Sequence, residues 1–293
     1  MSVKLDKDLY RALMERRSVR RYSKQPVEPA VLKSVSELVE SLEPLSVTNQ
    51  FRCQVRVIED RSDVFASAIG SYARIISAPC FIVPSISGEL RLMEDVGYRL
   101  QQLVIGLERL GLGTCWVGAL SNEGRVAQMF GIRNGWRIPA VIVFGYPDAG
   151  FIGRSVNRMV RGVVGAPARL AWNKFVFSER FGQPATVGTQ TLYVLDALRN
   201  SPSAGNSRPW RVALRGDELY YCIDSSAGFY RRYRNDYPLL DAGIGMANIA
   251  LALRSRGRPA DWNLIAETPA WRADLGLPPS VRLLASIRVC WPG

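Results

Sequence analysis

Three short stretches of the sequence combine residue types that could do chemistry. The first is Arg16-Arg17-Ser18-Val19-Arg20-Arg21-Tyr22. Several guanidiniums beside a hydroxyl at a helix-to-turn junction suit a phosphate. Arginine forks pair with phosphate oxygens, and the hydroxyl donates one more hydrogen bond. The same composition also describes a solvated, arginine-rich helix end. The second stretch is Ser201-Pro202-Ser203-Ala204-Gly205-Asn206-Ser207-Arg208-Pro209-Trp210. Small and amide residues with two prolines make a stiff polar loop that can meet the edge of a ligand, or simply a connecting turn. The third is Gly111-Leu112-Gly113-Thr114-Cys115-Trp116-Val117-Gly118. A glycine-rich exit from an apolar helix lets backbone amides approach a flat ligand, although a helix C-cap has the same look.

Other chemistries are excluded or unsupported. The chain contains no histidine, which removes Ser-His-Asp and Cys-His catalysis and the HExxH zinc site. The five cysteines, Cys53, Cys80, Cys115, Cys222 and Cys290, are odd in number, scattered and never in CxxC spacing. They read as small core residues in a reducing compartment, not as a disulfide framework or metal site. Asp95 and Asp241 stand at helix starts, where a carboxylate favours the dipole. Tyr230, Tyr233 and Tyr237 with Arg231, Arg232 and Arg234 form a basic-aromatic stretch. It fits a lid, a contact to a cofactor phosphate or a solvated loop.

The formal net charge of +12 draws anions: nucleic acid, acidic membranes or phosphorylated small molecules. The charge is spread along the chain, and no nucleic-acid motif accompanies it. A small-molecule substrate is expected, with neither nucleic acid nor membrane as partner. The N-terminus has no apolar h-region, and no stretch approaches a spanning helix of about 18 apolar residues. These features predict a cytoplasmic protein.

The elements that must position these stretches are legible from periodicity. Residues 4–21 read as an amphipathic helix running into the arginine-rich turn. A second helix carries Val31, Leu32, Val35, Leu38, Val39 and Leu42 on one face. Residues 53–58 alternate as a strand with Cys53, Val55 and Val57 on one side. Cys80–Val83 is an apolar strand, Asp95–Leu110 a long apolar helix, and residues 139–146 a buried strand ended by Pro147. A helix over Thr191–Arg199 and a strand over Trp210–Leu214 flank the second polar loop.

The second half repeats the first. Asp95–Trp116 aligns without a gap on Asp241–Trp262, matching Asp95 with Asp241, Gly97 with Gly243, Gly111 with Gly257 and Trp116 with Trp262. Asn49–Val55 matches Asn206–Val212, Phe130–Ile132 matches Leu275–Leu277, and Pro147 matches Pro292. Shared helix, breaker, tryptophan and closing strand argue for duplication. The organisation expected is a first half over 1–150, a basic connecting arm over 151–188 and a degenerate second half over 189–293. Strands alternating with helices in two related copies imply an α+β fold, an intramolecular pseudo-dimer with a pseudo-twofold axis.

In combination and order, these stretches resemble the nitroreductase superfamily of FMN enzymes. ERRSVRRYSKQPV resembles its N-terminal phosphate-binding segment, and SPSAGNSRPW its PSxxNxQPW loop. GYRLQQLVIGLERLGLGTCWVG is similar to its central helix and following loop, and IPAVIVFGYPD to its closing strand. The likeness covers most of the chain and is greatest to the divergent branch in which two units are joined. The family is a homodimer with FMN at the interface; one subunit gives the arginine segment, the post-helix loop and a basic arm, the other the PSxxN loop.

The resemblance implies that Arg16, Arg17, Ser18 and Arg20 hold the FMN phosphate and ribityl chain. Arg169 would add a phosphate contact, and Pro202, Ser203 and Asn206 would come from the opposite half. Trp116, Val117, Gly118 and Ala119 would lie along the isoalloxazine, with the Gly118 N–H toward N5. Arg208 stands where the family often has Gln. The parts are divided unevenly. The first half's version of the loop, Pro44-Leu45-Ser46-Val47-Thr48-Asn49, is eroded, and the second half lacks an arginine segment. One FMN per chain, between the halves of a monomer, is therefore expected. No residue is assigned as a catalytic acid or base. The activity implied is ping-pong reduction of a nitroaromatic, quinone or related acceptor by NAD(P)H. Alternatives are a flavin-dependent oxidase or dehydrogenase on the same fold, and a non-catalytic flavin-binding scaffold.

Overall fold

The structure, a computed structural model, describes residues 6–57, 76, 78–118, 123–148, 150, 170–232 and 236–289. They form two compact units: a central one, Glu15–Pro167, and a terminal one joining Met1–Met14 to Ala168–Gly293. Helix α1 (Lys7–Glu15) is held by the terminal unit through its side chains. Tyr10 stacks on Tyr193 with ring centroids 3.6 Å apart and donates to the Tyr193 carbonyl at 3.0 Å. Asn200 Nδ2 donates to the Leu13 carbonyl at 2.6 Å, and Leu13 is fully buried.

The helix expected to run to residue 21 stops at Glu15. The arginine segment beyond it is extended. Val19 N–H donates to the Thr114 carbonyl at 2.8 Å, and Ser23 N–H to the Tyr146 carbonyl at 2.8 Å. β-Branched Val19 and aromatic Tyr22 suit such a strand-like course, and neighbouring strands supply the partners that a helix would otherwise provide.

In the central unit, α2 (Pro29–Glu40) opens on a proline, whose missing N–H is no loss in a first turn. Four strands follow: β1 (Gln50–Val57), β2 (Cys80–Ser87), β3 (Gly113–Gly118) and β4 (Ala140–Gly145). Helices α3 (Leu92–Arg109) and α4 (Glu123–Met129) lie between them in sequence. The sheet order is β1-β2-β4-β3, antiparallel throughout. The two inner strands are apolar and buried along nearly their whole length, and with Tyr22, Cys115 and Ile138 they form one core cluster. β1 is an edge strand. Val57, expected on its covered side, is 54% exposed at the strand's end, where the sheet's open border leaves it uncovered.

The terminal unit has β5 (Val176–Ser178), α5 (Thr189–Arg199), β6 (Trp210–Arg215), β7 (Glu218–Asp224), α6 (Gly228–Arg232), α7 (Tyr237–Ser255), β8 (Asn263–Leu264), α8 (Pro269–Leu275) and β9 (Val281–Arg288). Its sheet runs β5-β6-β7-β9-β8. β5 comes from the stretch expected as a connecting arm and pairs parallel with β6; residues 151–169 of that stretch lie outside the described residues. α7 is buried on nearly every side, as befits a helix apolar all round. Among the described residues no helix is long and apolar enough to cross a membrane.

The sequence repeat is a repeat of topology. The order β1-β2-β4-β3 recurs as β6-β7-β9-β8, and α4 and α8 are offset by the same interval as Asp95 and Asp241. β8 is reduced to two residues. Pro259 stands where β3 begins in the other copy, and it has no N–H to give a ladder.

Gly245 in α7 faces the Tyr221 hydroxyl, which a Cβ would meet at 2.3 Å, with Leu198 Cδ1 at 2.9 Å. Tyr221 is held there, fully buried and donating to the Ala242 carbonyl at 3.1 Å. Gly245→Ala is expected to destabilise the protein by about 1–3 kcal/mol through overpacking. Denaturant unfolding would check this, and an unchanged midpoint would show that the helix shifts freely.

Candidate functional site

In the central unit the arginine segment lies against the start of β3. Ser18 pairs with Thr114 in a parallel bridge, and Tyr22 with Pro147 in an antiparallel one. Gly113 makes the approach possible, because a Cβ there would meet Val19 Cγ2 at 2.7 Å and Pro147 Cγ at 3.0 Å. Gly111, at φ +75, serves the turn that leaves α3. Two glycines that look alike in the sequence thus do different jobs.

Arg16 and Arg20 are buried, Ser18 is half-buried and Arg17 is exposed. The Arg16 Nε finds no hydrogen-bond partner, and neither does the hydroxyl of fully buried Thr114. Burial lowers the Arg16 pKa to about 10, with Arg17 and Arg20 adding to the effect and Glu108 opposing it. The guanidinium remains cationic at neutral pH. Buried donors are normally paired, so an unsatisfied Nε on a buried guanidinium and an unsatisfied buried hydroxyl, on the two segments that Ser18 bridges, have the chemistry of an anion receptor. Thr114 was absent from the expected site residues. A threonine in an apolar strand gives no sequence signal; only its register opposite Ser18 does.

Trp116 is half-buried and its Nε1 donates to Gln101 Oε1 at 3.3 Å. Val117 is buried and Gly118 exposed at the strand end. Ala119 and Arg169 lie outside the described residues.

In the terminal unit, Pro202, Ser203 and Asn206 sit half-buried in a tight loop with a 3₁₀ turn over Ala204–Asn206. Gly205, Asn206 and Arg208 all have left-handed backbone, at φ 56, 56 and 50. Non-glycine residues in that region cost energy and concentrate at functional sites. Arg208 locks the loop: its N–H donates to Ser203 Oγ at 2.9 Å and its Nε to Asn206 Oδ1 at 3.1 Å. Gly205 is covered by Phe229, whose ring a Cβ would meet at 2.4 Å.

Asp95 and Asp241 do more than favour helix dipoles; each anchors the polar loop of its own unit. Fully buried Asp95 accepts from Leu45 N–H at 2.7 Å, from Ser46 N–H at 3.5 Å and from Asn49 Nδ2 at 3.1 Å. Arg99 pairs with it at 3.1 Å. Buried Asp241 accepts from Ala204 N–H at 2.9 Å and from the Tyr230 hydroxyl at 2.8 Å, both at Oδ2. The loops differ where it matters for a ligand. Asn49 is buried, with its Nδ2 committed to Asp95 and to the Leu90 carbonyl at 2.7 Å, whereas its counterpart Asn206 stays half-exposed.

Three of the thiols are made unreactive by burial. Cys53 is pushed up to about 12, and Cys115 and Cys222 are also raised, so none is a thiolate nucleophile near neutrality.

Comparison with known proteins places the architecture. The family model described as "Putative TM nitroreductase" matches residues 8–253. A nitroreductase structure from Thermotoga maritima superposes with a TM-score of 0.58 at 17% identity, over 96% of this chain and 93% of that one. The α+β fold is therefore nitroreductase-like. More distant are nitroreductase A from Vibrio parahaemolyticus (TM-score 0.43, 21% identity, 48% of this chain and 68% of that one) and the NADPH:FMN oxidoreductase from Vibrio harveyi solved with NAD+ (0.43, 18%, 48% and 70%). No curated protein matches the sequence.

Proposed function

This chain belongs to the nitroreductase family whose model it matches over residues 8–253, and from that premise we propose that it is an FMN-dependent NAD(P)H oxidoreductase. It is an oxidoreductase by family. The FMN, the NAD(P)H and the acceptor are our reading. The observation that carries it is two unsatisfied buried donors, Arg16 Nε in the arginine segment and Thr114 Oγ1 in the strand that Ser18 bridges. Unsatisfied buried donors, one of them on a guanidinium, suit a phosphate monoester far better than an empty core.

Arg16, Ser18 and Thr114 would bind the FMN phosphate, with Arg17 and Arg20 reinforcing the positive field. Arg169 retains its expected role as a further phosphate contact. Trp116, Val117, Gly118 and Ala119 would lie along the ring. Pro202, Ser203 and Asn206 would supply the contacts that the first half has lost, since Asn49 Nδ2 is taken up by Asp95 and Leu90. When bound, FMN supplies redox transfer from NAD(P)H to a nitroaromatic, quinone or related acceptor in ping-pong turnover. The protein's own residues bind and orient, and no side chain needs to act as acid or base. One FMN per chain follows, in a monomer.

The test is the visible spectrum of the purified protein, with released chromophore identified and counted. An oxidised-flavin spectrum at one FMN per chain is the expected result. Two FMN per chain would overturn the single-site reading. A colourless protein that takes up no added FMN would replace it with the scaffold alternative. Anaerobic turnover with NAD(P)H separates reductase from oxidase.

A further inference from the structure

The buried carboxylates Asp95 and Asp241 occupy matched positions and do matched work, yet among the described residues only Asp95 has a counter-ion. Asp95 is paired with Arg99 one helical turn on. At the matching place in α7 stands Gly245, and the space a side chain would need is filled by the Tyr221 hydroxyl. Asp241 therefore faces two neutral donors, Ala204 N–H and Tyr230 O–H. Tyr230 is carried by α6, whose preceding residue, Phe229, covers Gly205 of the same loop.

We infer that Asp241 is a positioning residue: its carboxylate clamps the Ser203–Arg208 loop and α6 together, so that cofactor affinity depends on whether it is ionised. This rests on the proposed role of that loop in FMN binding.

Among the described residues two titratable groups face Asp241. Tyr230 comes from α6 and Tyr221 from β7, and both are raised above the ordinary phenol value, mainly by burial. Neither titrates near neutrality. Arg211, which acts on Tyr230, is paired with Asp224 at 2.9 Å. Asp241 itself is raised from 3.8 to about 7 by burial, opposed by the bonds from Ala204 and Tyr230. Its ionised form accepts both donors as charge-assisted bonds, and protonation weakens them. The loop is accordingly held harder above pH 7 than below it. Global stability has the opposite sign. A folded-state pKa above the unfolded value favours folding at low pH, and that contribution is withdrawn as pH rises between about 4 and 7. Ionisation of this carboxylate therefore costs stability at neutral pH.

The experiment titrates FMN into wild type, Asp241→Asn and Tyr230→Phe at pH 6 and 8.5, and measures amide exchange of residues 203–208, corrected for intrinsic rates. The titration of the FMN phosphate near pH ~6 is common to all three and cancels in the comparison. Expected is a ratio of Kd at pH 6 to Kd at pH 8.5 about five- to tenfold larger in wild type than in Asp241→Asn. Exchange at Ala204 should quicken on acidification in wild type only. Tyr230→Phe removes a donor that stabilises the carboxylate and should move the midpoint to higher pH. Identical pH ratios in wild type and Asp241→Asn, with unchanged exchange, would overturn the clamp. If no form binds FMN, the cofactor reading falls and the exchange comparison alone decides: pH-independent protection of Ala204 overturns the clamp, and pH-dependent protection lost in Asp241→Asn supports it.

Discussion

Arg16→Met should weaken FMN binding by roughly 10- to 100-fold while leaving the cofactor-free protein as stable as before or more so. The two signs come from one fact. The Arg16 Nε is buried without a partner, so in the absence of an anion the guanidinium carries a desolvation cost that the charge of Glu108 offsets only in part. A hydrogen bond between charged groups contributes about 1.5–3 kcal/mol, and each 1.4 kcal/mol is about tenfold in Kd. Methionine keeps much of the unbranched stem and fills the space without a charge, and replacing buried charges by apolar groups of similar volume is often neutral or stabilising by about 1–4 kcal/mol. Fluorescence titration of FMN gives the first quantity and thermal unfolding of the stripped protein the second. Equal losses in both would mean that Arg16 is a structural residue whose partner lies elsewhere. Arg16→Lys should fall between, since it keeps the charge and loses the fork.

Asp95→Ala should have the largest effect on stability of any single change considered, about 3–5 kcal/mol, the usual cost of stranding the partners of a buried charge. It leaves Leu45 N–H, Ser46 N–H, the Asn49 amide and Arg99 without their common acceptor. Asp95→Asn keeps one acceptor oxygen and should lose less. Arg99 also lies over the Phe51 ring, 5.0 Å from its centroid, so Arg99→Ala carries a separate packing cost. A double-mutant cycle between Asp95 and Arg99 should show strong coupling. Denaturant unfolding, with hydrogen exchange in α3 as the local readout, measures all three. A loss in Asp95→Ala below about 1 kcal/mol would mean that water replaces the carboxylate, and that the anchor is not the reason for its burial.

The contrast between these aspartates shows how two units of matching strand order differ. Both copies retain a carboxylate that ties a polar loop to the long helix. In the central unit the loop has closed on itself: Asn49 is buried, and the acid has its arginine. In the terminal unit the loop keeps strained left-handed residues and a half-exposed Asn206, and among the described residues its acid has neutral donors alone. The copy with the cation is built for stability, and the copy without it carries strain and an elevated pKa.

Much of this was legible in the sequence. Periodicity located α2, α3, α5 and the inner strands, because a buried helix or strand must repeat its apolar residues at its own period. The ungapped match of Asp95–Trp116 with Asp241–Trp262 carried the repeat, and the two sheets share the corresponding strand order. The absence of histidine narrowed the chemistry without any structure. The end of α1 was not legible. Arg16–Tyr22 continues an amphipathic helical pattern, and only the partners offered by β3 and β4 draw it into an extended course. The two jobs of Gly111 and Gly113, the orphaned Thr114 hydroxyl and the anchoring role of the aspartates were equally hidden. Each depends on which atoms meet across long sequence separations, and local propensity has no term for that. The residue types that could do chemistry were set by the sequence; which of them are buried, paired or left wanting a partner was decided only by the packing around them.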